Sequence, residues 1–222
     1  MVLTLEGVSK SFGKDNTYVE ALKATDFHLE RGEMVAIVGP SGSGKSTLLT
    51  IAGLLQKPSS GRIIINDTNT TDYNEKKRSQ IRLKEIGFIL QASNLVPFLK
   101  VKDQLKLLDK VNRNHLSKEE LAEKVQTLGL EKVMNQYPSE LSGGQRQRVA
   151  ILKAIYTKPS VILADEPTAS LDSEKAFAVI ELIREEVRGM DKAAIVVTHD
   201  TRLTKYFDKV YEMKDGYLNR IN

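Results

Sequence analysis

The chain contains no cysteine and no tryptophan, and aromatic residues make up only 6% of its 222 residues. The absence of cysteine excludes disulfides and thiolate metal sites, and it fits a reducing compartment. Few aromatic rings give poor support to a platform that stacks nucleic-acid bases. No apolar run approaches the roughly 20 residues of a spanning helix, and no basic segment precedes an apolar one near the start. We therefore expect a soluble, cytoplasmic protein.

The charge balance is only mildly basic. The chain carries 33 Lys and Arg against 29 Asp and Glu, which gives a net charge of +4. Such an excess is compatible with anionic lipid headgroups or nucleic acid nearby, and equally with an ordinary solvated surface. The length suits one domain with a sizeable core.

A complete phosphate-binding motif, GPSGSGKST, stands between an apolar run at 35–38 and an amphipathic stretch at 48–52. Glycines let backbone N–H groups curl around a polyphosphate, Lys45 reaches the β- and γ-phosphates, and the Ser46 hydroxyl can ligate Mg²⁺. A plain glycine-rich helix cap needs neither side chain. The candidate nucleotide-binding residues here are Gly39, Pro40, Ser41, Gly42, Ser43, Gly44, Lys45, Ser46 and Thr47.

An acidic pair, Asp165 and Glu166, follows the apolar run at 161–164. Ligands of open α/β sheets bind at the carboxyl ends of strands, which places both acids beside the phosphates. Asp165 is a candidate Mg²⁺ ligand, and Glu166 is a candidate general base for the attacking water. The alternative is that the pair merely ends a strand at the surface.

A second glycine-rich loop, Ser142-Gly143-Gly144, opens a helix in which Val149, Leu152 and Ile155 share one face. A helix that begins in this way offers a second anion site. The two glycines are equally compatible with an ordinary helix start.

The remaining pattern alternates strands with helices. Apolar runs predict strands at 3–5, 24–29, 34–38, 62–66, 87–90, 161–164 and 193–197, with Gly61 as a turn. A capping box at Ser117 and Glu120 starts a helix that Gly129 ends, and residues 176, 180, 183 and 187 mark another. Alternation of this kind predicts an α/β fold with a mostly parallel sheet.

Taken in order, these motifs resemble the ATP-binding subunit of an ABC transporter. They are the phosphate loop at 39–47, Gln91, the signature Leu141-Ser142-Gly143-Gly144-Gln145, Asp165-Glu166, Ser170-Leu171-Asp172 and His199. The resemblance implies a P-loop NTPase (RecA-like) fold with an N-terminal antiparallel β subdomain and an inserted helical lobe. It implies a single ABC ATPase domain over 1–222, with the core lobe at about 1–92 and 159–222 and the helical lobe at about 93–158.

The resemblance also implies roles for single residues, with ATP and Mg²⁺ as cofactors. Ser142, Gly143, Gly144 and Gln145 would contact ATP held by a second copy, which gives a head-to-tail dimer. Glu166, His199 and Gln91 would form the catalytic set, while Ser46, Gln91 and Asp165 would hold the metal.

The adenine ring would stack on Phe12, although a Phe at a strand end is more often core and Tyr18 is a competitor. Alternatives also stand for two catalytic candidates. A lone His is commonly structural, and a Gln that leaves a buried strand, as Gln91 does, often lies at an edge.

Three stretches, at 22–23, 97–101 and 164–172, look most like the subfamily of macrolide exporters, lipoprotein-release ATPases and bacterial haem exporters. Leu90 and Leu152-Lys153 depart from the usual residues. The resemblance implies export, an integral membrane permease subunit, a periplasmic-type adaptor as a further candidate partner, and a peripheral position on the cytoplasmic face of the membrane.

Two other functions compete with export. The same ATPase could drive a cell-wall hydrolase through a membrane partner. A soluble nucleic-acid-associated ATPase is the other alternative, although no nucleic-acid partner is expected.

The segment 94–101 places large apolar residues in a row that no helical or strand period explains. By resemblance it borders the groove that receives the membrane subunit, so we expect Phe98 or Leu95 to be exposed. The alternative is that all of these residues pack inside the helical lobe.

Overall fold

The structure is a computed structural model, and it describes residues 1–110, 112–169, 171–189 and 192–222. Ser170 of the motif at 170–172 lies outside the described residues. The strands are β1 (Leu3–Phe12), β2 (Val19–Leu29), β3 (Met34–Val38), β4 (Ser60–Ile65), β5 (Thr68–Asn69), β6 (Ile86–Ile89), β7 (Val161–Asp165), β8 (Ala193–Val197), β9 (Lys209–Lys214) and β10 (Tyr217–Arg220). The helices are α1 (Lys45–Ala52), α2 (Glu75–Glu85), α3 (Val101–Asp109), α4 (Lys118–Thr127), α5 (Gly143–Tyr156) and α6 (Ser173–Gly189). Short 3₁₀ turns lie at Asp15–Thr17, Glu131–Val133, Pro138–Glu140 and Thr201–Tyr206.

The strands form two sheets. One has the order β2-β1-β4-β5 and is antiparallel. The other has the order β10-β9-β3-β8-β7-β6, and every neighbouring pair in it is parallel except β9 with β10. The predicted fold class is confirmed: a mostly parallel α/β core with an N-terminal antiparallel sheet.

The central strands are buried on both faces, as their continuous apolar runs predict. All five residues of β3 and all five of β8 are buried. Because neighbouring side chains of a strand point to opposite faces, Ala36 and Val38 enter one apolar cluster while Val35 and Ile37 enter another. The first cluster includes side chains of α3 to α6, and the second includes side chains of α1 and the antiparallel sheet. The parallel sheet therefore separates two apolar layers.

Local signals for helix ends are confirmed. Glu120 N donates to Ser117 Oγ at 3.1 Å, and Ser117 N donates to Glu120 Oε2 at 2.7 Å. Gly129 follows α4 with φ +58°, the left-handed conformation that ends many helices.

The prediction of a turn at Gly61 is wrong. Gly61 lies inside β4 with φ +86°, and a Cβ there would stand 2.4 Å from Gly7 O of β1. The glycine is needed for close approach of two strands, which the sequence pattern does not distinguish from a turn.

Within the described ranges, no helix is both long and apolar enough to cross a membrane.

Candidate nucleotide-binding and catalytic site

The phosphate loop joins β3 to α1 at the carboxyl edge of the parallel sheet. Its left-handed glycines permit tight packing: a Cβ on Gly39 would lie 2.1 Å from Met213 O, and one on Gly44 would lie 2.3 Å from Ala21 O. Both positions therefore exclude any larger residue. The roles of Ala21 and Met213 could not be predicted from the sequence, because these contacts join segments far apart in the chain.

Lys45 folds back over this loop. Its ammonium group donates hydrogen bonds to the carbonyls of Gly39 and Pro40, both at 2.7 Å, and the residue is 9% exposed. The loop thus holds a buried positive charge where its backbone N–H groups and the N-terminus of α1 also favour an anion.

Ser46 and Asp165 meet across the cleft. Ser46 Oγ donates to Asp165 Oδ2 at 3.1 Å. Burial raises the pKa of Asp165, and the charge of Glu166 adds to the rise, whereas the Ser46 hydrogen bond and Lys45 oppose it. A cation at this position would therefore stabilise a carboxylate that the protein leaves underneutralised.

Glu166 has a left-handed backbone conformation and a buried carboxylate oxygen. Its φ is +48°, and its backbone N–H donates to Val197 O of β8 at 3.0 Å. His199 Nδ1 lies 2.9 Å from Glu166 Oε2, but without hydrogen-bond geometry, and that oxygen is buried with no hydrogen-bond partner among the described residues. Since no hydrogen bond from the described residues occupies this oxygen, it can accept a proton.

The loop and the acids line one cleft of about 320 Å³. Its lining residues are Ala21, Ser41, Gly42, Gly44, Lys45, Ser46, Thr47, Gln91, Asp165 and Glu166. Gln91 follows β6, the edge strand, and also lines a neighbouring cleft of about 490 Å³ together with Gly143 and Arg146. His199 is not part of the first cleft lining, and its side chain is 71% exposed, so it is not a buried structural histidine.

The signature residues stand apart from this cleft. Ser142 caps α5: Gln145 N donates to Ser142 Oγ at 3.2 Å, and Ser142 N donates to Gln145 Oε1 at 2.8 Å. A Cβ on Gly143 or Gly144 would approach other atoms no closer than 3.9 and 3.5 Å, so space is not what requires these glycines. None of these residues lines the cleft formed by the phosphate loop.

Phe12 is 41% exposed and Tyr18 is 58% exposed, so neither ring belongs to the core. Lys10 Nζ lies 5.2 Å from the centre of the Phe12 ring, and Ser11 Oγ lies 3.0 Å from Tyr18 OH. Neither ring lines the cleft, so the adenine contact of Phe12 or Tyr18 stays a prediction.

The segment after Gln91 exposes the predicted ring. Phe98 is 76% exposed, while Leu95 is partly buried against the core. Lys153 of α5 donates to Asn94 O at 2.8 Å, and burial lowers the pKa of Lys153. The expectation that Phe98 or Leu95 is exposed is confirmed, and the lysine that departs from the usual family residue ties this segment to the signature helix.

The chain is similar to known proteins along nearly its full length. The ABC transporter family model matches residues 22–169. The putative hemin import ATP-binding protein HrtA of Staphylococcus aureus (strain bovine RF122 / ET3-1) is 44% identical over 219 residues, which cover 97% of this chain and 98% of the relative. The same protein from strain MRSA252 is 43% identical over 219 residues, with the same coverage.

Solved structures of ATP-binding cassettes are similar to this chain along nearly its full length. The ATP-binding cassette MJ0796, in a dimeric post-hydrolysis state bound to ADP and Pi, superposes with a TM-score of 0.89 at 35% identity, covering 99% of both chains. The structure of cbiO1 from Clostridium perfringens, part of the ABC transporter complex cbiONQ, gives a TM-score of 0.82 at 31% identity, covering 98% of this chain and 86% of the other.

Proposed function

The chain belongs to the ABC transporter family, and we propose that it powers a membrane export complex as a head-to-tail dimer holding two ATP molecules. It is an ATP-binding subunit of a transporter and an ATPase. The observation that carries the proposal is the separation of two anion sites. The phosphate loop and the two acids line one cleft, whereas the signature caps a helix outside it.

ATP binding begins at the loop. Backbone N–H groups of 39–47 surround the phosphates, and the Lys45 ammonium exchanges the carbonyls of Gly39 and Pro40 for the β- and γ-oxygens. Phe12 or Tyr18 of this chain stacks on the adenine ring.

Hydrolysis uses the unpaired carboxylate. Glu166 accepts a proton as a water attacks the γ-phosphorus and the bond to the ADP oxygen breaks, a role worth about 10²–10⁴-fold in rate. The buried Oε2, which accepts no hydrogen bond from the described residues, supports this role. His199, within 2.9 Å, positions the water and the γ-phosphate.

The donor set fits Mg²⁺. Ser46, Asp165 and Gln91 offer oxygen atoms to the same cleft, and hard oxygen ligands are those that Mg²⁺ prefers. The described residues contain no cluster of three or more His, Cys, Asp or Glu that could hold a metal, so the ion would also depend on nucleotide oxygens. When bound, it neutralises charge on the phosphates.

The second copy supplies the missing half of each site. Ser142, Gly143, Gly144 and Gln145 are exposed or half-buried at the start of α5, where N–H groups and the helix dipole favour an anion. Cassettes of similar structure are dimeric, which supports a self-dimer of this chain. In our proposal, the anion at the start of α5 is the ATP of the partner.

A permease subunit docks beside Gln91. An apolar cleft of about 310 Å³ lies between α2, α3 and α5, with Leu55, Leu83, Phe88 and Leu108 in its lining. Phe98 stands exposed at the start of α3. An apolar segment of the permease fits such a cleft. The helical lobe at about 93–158 contains α3 and α5, which border the cleft. A periplasmic-type adaptor is a further partner. The subunit then lies on the cytoplasmic face of the membrane.

Hemin is the cargo that the relatives suggest, although their name carries the word import and our proposal is export. Deletion of the gene for this chain should make cells more sensitive to added hemin and raise cell-associated hemin. The parent gene should reverse both effects, and the Glu166→Gln variant should not. Lower hemin content after deletion would establish import instead. Unchanged hemin content would reject hemin as the cargo.

A further inference from the structure

The positive charge of this chain is concentrated on two helical segments. Residues 75–85, which form α2, and residues 100–110, which include α3, carry nine Lys and Arg against four Asp and Glu, a net charge of +5. The whole chain carries +4, so the other 200 residues sum to −1. The small excess of positive charge in the whole chain therefore comes from these two segments.

Both segments lie on one side of the molecule. They border the same apolar cleft, to which α2 contributes Arg82 and Leu83 and α3 contributes Leu108. Asn112 Nδ2 donates to Leu83 O at 2.8 Å, which fixes the end of α3 against the end of α2. We call the surface formed by residues 75–85 and 100–110 the basic face.

The arginines of the basic face are engaged inside the protein. Arg78 and Arg82 donate to Leu54 O at 2.6 and 2.8 Å, and both pair with Glu75. The other seven cations are all lysines. The ammonium groups of Lys76, Lys102 and Lys110 make no ion pair, hydrogen bond or ring contact within the part of the chain that the structure describes.

Exposed apolar side chains accompany these lysines. Leu83 and Leu107 are 38% and 45% exposed. A mixture of free lysines and exposed apolar groups is typical of surfaces that rest on an anionic membrane.

We propose that the basic face binds anionic phospholipid headgroups at the membrane surface. Lysine suits this partner because a bilayer presents a diffuse negative field that a mobile point charge can follow. An acidic protein segment would instead favour arginine, whose planar fork matches carboxylates, and the arginines here are already occupied. The inference rests on the proposed function in one respect: the permease holds this side of the chain toward the membrane.

Vesicle binding by the purified full chain tests the proposal. We compare vesicles of phosphatidylcholine with vesicles that contain equal amounts of phosphatidylcholine and phosphatidylglycerol, at low and high salt. The test variant is Lys76→Gln/Lys102→Gln/Lys110→Gln. The matched control, Arg188→Gln/Lys205→Gln/Lys214→Gln, removes three exposed cations from α6, the turn at Thr201–Tyr206 and β9, and so has the same net charge.

The parent should bind the anionic vesicles, and salt should weaken that binding. Each lysine near an anionic surface is worth about fivefold in affinity, so the test variant should bind about a hundredfold more weakly. The control should stay within about threefold of the parent. Melting temperature and basal ATPase should match the parent in both variants.

Equal losses in the two variants would overturn the proposal, since net charge alone would then explain binding. Equal binding to neutral vesicles would overturn it as well. A test variant that keeps vesicle binding but loses the permease in detergent would assign the lysines to a protein contact. A parent protein that binds anionic vesicles but hydrolyses no ATP would count against the proposed function and not against the lipid site.

Discussion

At the scale of single residues, two adjoining acids have different environments. Asp165 ends β7 and accepts a hydrogen bond from Ser46, whereas Glu166 leaves the strand with φ +48° and has a buried Oε2 that accepts no hydrogen bond within the described ranges. A non-glycine residue in the left-handed region costs of order 1 kcal/mol and often marks a functional site. The backbone turn therefore gives the two carboxylates different surroundings, which suit the separate tasks that we propose for them, metal binding and proton transfer.

The Glu166→Gln variant should keep ATP affinity within about twofold and lose hydrolysis by about 10²–10⁴-fold, because the amide keeps the shape and removes the base. Nucleotide binding and phosphate release measure the two effects. Glu212→Gln, which changes an exposed acid on β9, is the control and should retain full activity. Turnover of Glu166→Gln within twofold of the parent would show that Glu166 is not the base.

At this scale the sequence predicts much of the site. The phosphate loop, Asp165, Glu166 and Gln91 are found from motifs and strand ends, and the structure brings them to one cleft. The packing of Ala21 and Met213 against the loop glycines could not be predicted, since no local pattern encodes contacts between distant segments. The orphaned oxygen of Glu166 likewise depends on how β7 and β8 align.

At the scale of elements, local signals predict α4 and α5 well, because their caps are made by residues three positions apart. They predict α2 poorly. That helix begins at an Asn74 cap but is strongly polar, so its apolar period is weak. The long β1 and β2 also exceed the predicted strands, because register shifts interrupt their alternation.

One buried ion cluster joins elements that no sequence pattern connects. Glu186 of α6 is 3% exposed and pairs with Lys124 of α4 and with Lys192, both at 2.7 Å. Burial alone would raise the pKa of Glu186, but the two ammonium groups outweigh it and hold that pKa below its usual value. The cluster fixes α4 against α6.

Glu186→Gln should lower the free energy of unfolding at neutral pH by about 3 kcal/mol, because it leaves Lys192 buried without its counter-charge. Denaturant titration measures the loss. Glu185→Gln, which changes an exposed neighbour on the same helix, should lie within about 0.5 kcal/mol of the parent.

The same loss should depend on pH. Since the folded-state pKa of Glu186 is depressed, its stabilisation is present above the unfolded value of about 4.3 and disappears as pH falls through the folded value. The difference between Glu186→Gln and the parent should therefore shrink in acid. A difference independent of pH would contradict an electrostatic role.

Phe98 offers a test of a surface element. Because its side chain is 76% exposed, Phe98→Ala should leave melting temperature and basal ATPase nearly unchanged and reduce ATPase stimulated by the permease. Phe27→Ala, at a residue 1% exposed, is the contrasting variant and should cost about 3–5 kcal/mol. A Phe98→Ala variant with a loss of that size would show that the ring is structural.

At the scale of the whole molecule, the proposed dimer rests on two groups of residues that lie apart in each chain. The phosphate loop and the acids lie in one cleft, and the signature begins a helix outside it. In the proposed head-to-tail dimer, two identical chains would complete both sites at once, with two equivalent contacts around a twofold axis. In the proposed dimer ATP would be part of the interface, and its hydrolysis would loosen the contact between the two chains.

The absence of cysteine permits a direct test of this arrangement. Ser41→Cys places a thiol in the phosphate-loop cleft and Ser142→Cys places one at the signature, each in the Glu166→Gln background. A mixture of the two proteins with ATP and oxidant should give a disulfide-linked dimer, whereas either protein alone, or the mixture without ATP, should give little. Cross-linking of each protein alone as efficient as that of the mixture, or none in a mixture in which both proteins bind ATP, would contradict the head-to-tail sandwich.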